Sequence, residues 1–364
     1  MGEINLSEIK KILIVKLCCV GDIMFTTPLV RTIKKGFPKA KITYMAGNWA
    51  KEVIETNPHL DNILIFDIPF ERKSILKKIR DLIKYIILLR KEKFDLAVNC
   101  HRSFSSNLFL LLAGCKYRIG FNWKNKGLFL SKRIVFDHRK HEVERYLDIA
   151  KSIGLNPDNT DLEIGLLEKE RNLAEELMNK YNPERKKAVT VFPGGGINPK
   201  TTMLSKRWPA ENYALLCDWI IEKYKAIILF VGGKSDQEIV NKIISLMKND
   251  SINLCGKLTY RESAAIIEKT NLFIGGDSGL LYIASAVGTP TISLFGPSNP
   301  KLVAPMGEKH IYIWGKTDCS PCYVPETVHK KEFLKCNDFK CMRAISIDKV
   351  KQAVEFQWKK WIRD

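Results

Sequence analysis

The sequence predicts an α/β protein made of two alternating halves, each a parallel sheet covered by helices. Three observations lead there. Apolar runs of strand length recur between helical stretches, at 12–17, 41–46, 63–66 and 94–98, and again at 189–192, 227–231, 272–276 and 290–295. Such alternation places helices on both faces of a parallel sheet. Several runs end in glycine turns, as in PGGG at 193–196, Gly232-Gly233 and Gly275-Gly276. A chain of 364 residues also exceeds one ordinary core, which argues for two domains.

In chain order, Ile12 to Leu17 read as a buried strand, and the loop 18–22 holds Gly21 and Asp22. A helix then turns Leu29, Val30 and Ile33 inward. The strands at 41–46, 63–66 and 94–98 follow, with helical segments between them. Ligands on such sheets bind beyond the carboxyl ends of the strands. Asp22 occupies one such end, and Asn99, His101 and Arg102 another, although His101 reads equally well as a solvated loop histidine. A helix from His141 and a loop with Pro157 and Asp158 mark the boundary. The expected domains are 1–165 and 166–345, with a C-terminal helix at 346–364 packing back on the first half across a cleft.

The stretch GGDSGLLYIASAVGTPTISLFGP, 275–297, has the densest signal. An apolar run ends in two glycines, Asp277 and Ser278 are good N-cap residues, and Leu280 to Val287 read as a buried helix stopped by Gly288. A helix tip of this kind offers free N–H groups and partial positive charge to a phosphate. An ordinary βα turn is the competing reading.

Composition narrows the partners. Hydrophobic residues at 45% and charged residues at 27% fit a globular protein. Lys and Arg number 59 against 40 Asp and Glu, a net +19, which favours an anionic partner. No N-terminal signal peptide and no segment of membrane-spanning length is visible. Ten cysteines without a secretion signal argue for a reducing cytoplasm.

The blocks KILIVKLCCVGDIMFTTPLVRTIKKGFP, PGGG followed by KRWP at 206–209, and GGDSGLLYIASAVGTPTISLFGP occur in that order, and the helix beginning HEVERYL at 141 also fits. Together they resemble the bacterial lipopolysaccharide heptosyltransferases of glycosyltransferase family nine, from about residue 10 to the C-terminus. The resemblance implies the GT-B fold, two Rossmann-like doubly wound domains facing each other across a cleft. The N-terminal domain would bind the acceptor and the C-terminal one the nucleotide-sugar. It further implies inverting, metal-independent transfer of heptose from ADP-heptose to the lipopolysaccharide inner core.

Site residues follow from the matched blocks. Inverting transfer needs a carboxylate to take the proton of the attacking hydroxyl, and Asp22 matches the family's base. A helix cap is the competing role. Lys206 matches the family's phosphate lysine and would meet the departing diphosphate with the helix tip at Asp277, Ser278 and Gly279. A solvated lysine beside Trp208 is the alternative. Gly194, Gly195, Thr201 and Thr202 are further donor-side candidates. No Asp-x-Asp is present, so the metal–diphosphate clamp of other glycosyltransferases is missing from the sequence. His101 and Arg102 are the acceptor candidates. Two positions depart from the family: Tyr282 stands where histidine is frequent, and the turn GGKSDQE offers Lys234, or more weakly Asp236, where an acidic side chain often holds the ribose.

Two features stand apart. In ERKSILKKIRDLIKYIILLRKEKF, 71–94, Ile75, Ile79, Leu82, Ile83, Ile86 and Leu89 fall at helical spacing, with Lys77, Lys78, Arg80, Lys84, Arg90 and Lys91 around them. A basic amphipathic helix either packs on its own sheet or lies on an anionic membrane, here the inner membrane, with the protein peripheral to it. Cys319 and Cys322, then Cys336 and Cys341, form two close pairs that suggest a structural zinc, with reduced thiols or an oxidation-formed disulfide as alternatives. Cys18 and Cys19 read as small loop residues. A related transferase with another donor or acceptor remains open. A nucleic-acid-binding protein has only the charge and the cysteines behind it, so nucleic acid is not an expected partner. A dinucleotide oxidoreductase lacks its G-x-G-x-x-G.

Overall fold

The computed structural model describes residues 6–67, 75–198, 201–324 and 336–362. The chain divides into two compact units, Met1–Gly165 and Leu166–Asp364.

In the first unit the strands are β1 (Lys11–Val15), β2 (Lys41–Ala46), β3 (Asn62–Ile65), β4 (Leu96–Asn99), β5 (Tyr117–Phe121) and β6 (Lys132–Ile134). They lie in the order β3-β2-β1-β4-β5-β6, every neighbour parallel. β1 sits between β2 and β4, with Ile12 opposite Ile42 on one side and Leu96 on the other. Its Ile12, Leu13 and Ile14 have no solvent exposure, as expected of a parallel strand covered on both faces. The strand order reverses between β1 and β4, so their carboxyl ends flank the switch-point crevice where such sheets bind ligands.

The second unit repeats this plan. Its strands are β7 (Ala188–Phe192), the two-residue β8 (Ile197–Asn198) and β9 (Thr201–Thr202), β10 (Ile227–Phe230), β11 (Ile252–Asn253), β12 (Leu272–Gly276), β13 (Thr291–Phe295) and β14 (His310–Trp314). The main sheet runs β11-β10-β7-β12-β13-β14, again all parallel, while β8 and β9 form a small antiparallel ribbon. The first strand, β7, is central, and the switch point lies between β7 and β12. PGGG follows β7, and Asp277-Ser278 follow β12.

The C-terminal helix Ile347–Gln357 buries Val350, Ala353 and Val354 in the second unit's core. Gln357 Nε2 donates to Thr291 O and Lys309 O at the starts of β13 and β14. Trp208 Nε1, buried in the same core, donates to Ile345 O, so this segment anchors the KRWP loop.

The helix expected at 71–94 is described over Ile75–Glu92, and residues 71–74 lie outside the described ones. Only its later turns pack inward, through Leu89 and the half-buried Tyr85 and Ile86. Ile79 and Ile83, expected on the inward stripe, are exposed together with Leu76 (79%) and Ile87 (50%). These four are spaced at 3–4 residues and make a second, outward apolar stripe.

Candidate active site

Two groups of side chains stand at the two switch points. In the first unit, Asp22 is the third residue of the helix Val20–Met24, and the cap position belongs to Cys19. Capping is therefore not its role. Its carboxylate pairs instead with Lys16 Nζ at 3.0 Å. Lys16 is the residue directly after β1 and is buried. Burial by itself would depress its ammonium, but Asp22, with Tyr146 and the Cys18 thiol, outweighs this and holds it well above the usual lysine range. Its Nζ also lies 5.7 Å from the centre of the Tyr146 ring, which comes from the HEVERYL helix, Glu142–Lys151. Asp22 thus faces a permanent cation and keeps about a third of its side chain open to solvent.

His101 does not behave as a solvated loop residue. Its Nε2 accepts the Leu17 N–H at 2.9 Å, and its own backbone N–H is held by Asn99 Oδ1 at 3.0 Å. Burial, followed by the nearby Lys16 and Arg102 cations, pushes the imidazole down to about 3. It is a neutral brace on the loop that carries Asp22. Arg102 is also held within the fold. Its Nη2 lies 3.4 Å from Glu142 Oε1, and its guanidinium stacks 4.5 Å from the Phe136 ring, which Arg145 covers at 4.6 Å.

In the second unit the structure gathers Gly194, Gly195, Lys206, Asp277, Ser278 and Gly279. Asp277 is buried and fully engaged. Its Oδ2 meets Lys206 Nζ and accepts the Ser298 hydroxyl, and its Oδ1 accepts the Tyr282 hydroxyl, each at 2.6 Å. Burial would raise this carboxyl, but Lys206, then Ser298 and Tyr282, override it and hold the group below its ordinary value. Lys206 is 12% exposed, and its ammonium lies 4.6 Å from the Tyr323 ring centre, so it is not a solvated lysine. The helix Gly279–Ala286 has Ser278 at its N-cap; among the described residues no side chain caps it, and the buried Ser278 hydroxyl oxygen has no partner. The first-turn N–H groups therefore present an anion-binding tip beside a fixed cation.

PGGG lies against this tip. Gly195 has φ +96°, a left-handed conformation that glycine adopts without cost, and a Cβ there would stand 3.3 Å from the Ser278 Cβ. A Cβ on Gly194 would lie 2.1 Å from Asp236 Oδ1. Asp236, the weaker ribose candidate, thus stands directly against this loop. Its Oδ1 accepts Gly195 N and Arg207 Nη2, each at 3.1 Å, and its Oδ2 accepts Gly233 N at 3.1 Å. Arg207 Nε also donates to Gly195 O. Asp236 and Arg207 thus tie two glycine turns together and set the loop's shape. Thr201 and Thr202 form β9 of the ribbon, and their side chains lie outside the described residues. Lys16, Arg207, Ser298 and Tyr323 were not singled out by the sequence. The only signals for them were a lysine at a strand end and the second letter of KRWP.

The cysteine pairs lie at the end of β13. Cys322 N donates to Pro297 O, and a Cβ on Gly296 would come within 2.8 Å of Cys341 Sγ. Burial and then the other thiols of the set push Cys341 up to about 11, so the four share one neighbourhood. Among the described residues no group of three or more His, Cys, Asp or Glu is placed to hold a metal ion, and no cysteine is in a disulfide.

Two Rossmann-type units, one with a carboxylate beyond its first strand and the other with a lysine beside an uncapped helix tip, define a glycosyltransferase of the GT-B class. The profile of glycosyltransferase family 9 (heptosyltransferase) matches residues 82–332, and the chain belongs to that family. It is 27% identical over 310 residues to lipopolysaccharide heptosyltransferase 2 of Escherichia coli (strain K12), covering 82% of this chain and 86% of the relative. The crystal structure of the glycosyl transferase family 9 from Veillonella parvula DSM 2008 superposes with a TM-score of 0.80 at 25% identity, over 96% of this chain and 97% of the other. The E. coli ADP-heptose lps heptosyltransferase II structure superposes with a TM-score of 0.74 at 23% identity, over 95% and 98%.

Proposed function

We propose that this protein transfers a heptose from ADP-heptose to the lipopolysaccharide inner core, inverting the anomeric centre without a catalytic metal. The observation that carries the reading is Lys206, fixed by Asp277 beside the uncapped helix tip and the unpartnered Ser278 hydroxyl. A nucleoside diphosphate leaving group gains negative charge as the sugar departs, and a preorganised cation with N–H donors stabilises that charge. Asp22 accepts the proton of the acceptor hydroxyl. The names of the relatives above support this donor and acceptor. Incubation with ADP-heptose and a truncated core acceptor should release ADP and add one heptose to the acceptor, measured by mass. Turnover that disappears on chelation with EDTA would overturn the metal-free part. Tyr282, where the family often has histidine, favours a second reading in which the donor sugar or nucleotide differs, and a panel of nucleotide-sugars decides between them.

The acceptor class fits the surface of the first unit. The outward stripe Leu76, Ile79, Ile83 and Ile87 lies among Lys77, Lys78, Arg80 and Lys84, and the neighbouring helix Phe104–Leu112 exposes Phe104, Leu111 and Leu112. Among the described residues no helix is long and apolar enough to cross a membrane. We assign this face to peripheral contact with an anionic bilayer at the cytoplasmic side. Each lysine near such a surface contributes about 1 kcal/mol. Changing Lys77, Lys78 and Lys84 to Glu should release the protein from anionic vesicles while turnover of a soluble acceptor stays near normal. Binding should also weaken with salt, which screens charges over about 8 Å at physiological strength. Unaltered sedimentation with the vesicles would remove the assignment.

The four clustered thiols support a structural zinc in their segment as a further proposal. The side chains do not stand in a metal cage, so no step of the chemistry is routed through it. Purified protein should carry about one zinc per chain, the stoichiometry of a four-thiolate site. A zinc-free preparation that melts at the same temperature would leave these residues as plain thiols.

A further inference from the structure

The adjacent cysteines of the loop after β1 have no part in the transfer chemistry, yet they sit at its most sensitive point. Cys18 is exposed and Cys19 half-buried. Cys19 has φ 54°, in the left-handed region that residues with a Cβ rarely occupy. It is also the N-cap of the helix Val20–Met24, and its carbonyl accepts the Ile23 N–H at 3.0 Å. Asp22 lies in that first turn. On the strand side the loop is clamped, because Leu17 N donates to His101 and Leu17 O accepts the Gly47 N–H at 2.9 Å. A change in the 18–19 peptide therefore passes to the helix side, toward Asp22.

We propose that Cys18 and Cys19 form a peroxide-sensitive dithiol whose oxidation displaces Asp22 from its place beside Lys16 and switches off transfer. Cys18 reacts first, since it is exposed and within the field of the Lys16 ammonium. The Cys19 thiol donates a hydrogen bond to it, which lowers the Cys18 thiol below its ordinary value. The Cys18 thiolate attacks hydrogen peroxide. An S–O bond forms, the O–O bond breaks, and hydroxide leaves to be protonated. Cys19 then attacks the sulfenic sulfur, the S–S bond forms and water leaves. The two thiols lose two electrons and the peroxide gains them. Adjacent Cα atoms lie about 3.8 Å apart across a trans peptide, shorter than the roughly 4.4–6.8 Å usual for disulfides. Ring closure must therefore reshape the peptide that starts the helix, and a disulfide so constrained is readily reduced by thiols.

The loss of activity rests on Asp22 acting as the base, whereas the chemistry of the thiols does not. The full chain is treated with hydrogen peroxide, alkylated with iodoacetamide and digested with trypsin, and the peptide of residues 17–31 is weighed. It should have lost two hydrogens and taken up no alkyl group. Transfer should fall by roughly 10²-fold or more, the value of a displaced general base, and return with dithiothreitol. The double variant Cys18→Ser/Cys19→Ser should keep its activity through the same treatment. In Cys19→Ser the reaction should stop at the sulfenic acid, which dimedone traps on Cys18. Two alkylated cysteines in that peptide after the exposed Cys319 has been oxidised would overturn the proposal. So would no dimedone adduct in Cys19→Ser, or equal inactivation of the double variant. If the transferase reading itself fails, the peptide mass still decides whether the dithiol forms.

Discussion

Asp22→Asn is expected to lower turnover by roughly 10²–10⁴, the range that a positioned general base contributes. The acceptor hydroxyl has a very high pKa and must lose its proton as the bond to the anomeric carbon forms. Asn has nearly the shape of Asp and cannot take that proton. The structure sharpens the test, because Asp22 lies inside its helix and Cys19 holds the cap. A lost cap therefore cannot mimic the defect. Instead, Lys16 loses the anion 3.0 Å away that outweighs its burial. The variant should melt at a lower temperature, since a buried charge deprived of its partner is destabilising. Kinetics measured well below both melting temperatures separate the two effects. The KM for the nucleotide-sugar should be unchanged, because the diphosphate contacts proposed above all come from the second unit. Near-normal turnover with saturating acceptor would leave Asp22 as merely the counter-ion of Lys16.

The strands that the sequence revealed are the apolar ones, including the half-exposed edge strand β3, legible from the unbroken run 63–66, and β10. β1, β2, β4, β7, β12 and β13 are near-continuous apolar runs, as parallel strands covered on both faces must be. β5, β6, β11 and β14 were missed. YRIGF and KRI carry basic residues, and β11 is only two residues long, so neither periodicity nor length separates them from loops. The site divides in a similar way. Asp22 and Lys206 were legible because each sits at a fixed offset within a recognisable block. Lys16 was not, because the Tyr146 ring beside its ammonium comes from more than a hundred residues away. Ser298 reaches Asp277 only through the pairing of β12 with β13. The contacts of His101 and Asp236 within the fold were not legible, for a common reason. Each looked like a polar loop residue free for a ligand, and each is engaged by backbone N–H groups, which any residue type supplies and no sequence pattern marks.

Lys206→Ala should lower kcat/KM for the nucleotide-sugar by roughly 10²–10³, the cost of removing one preorganised donor from a site of developing charge. The effect should fall on kcat more than on KM, because the lysine meets charge that grows as the glycosidic bond breaks. Stability provides an independent readout. The pair is largely buried, with side-chain exposures of 12% and 10%, and deleting one member of such a pair typically costs ~3–5 kcal/mol. The cost here should lie toward the lower end, since Tyr282 and Ser298 still donate to the Asp277 carboxylate. The pH dependence follows from the direction of the Asp277 shift. Its folded value lies below that of the unfolded chain, where a carboxyl titrates near about 3.9. The pair therefore stabilises the wild type fully above that pH, and the contribution disappears as pH falls through the lower, folded value. In Lys206→Ala the largest cause of the depression is removed, so burial regains weight and the carboxyl rises. The difference in stability between wild type and variant should then be full near neutrality and shrink in acid. A difference that stays constant from neutral pH to well below the carboxylate range would mean that Lys206 does not stabilise ionised Asp277. Unchanged transfer kinetics would remove the lysine from the diphosphate site.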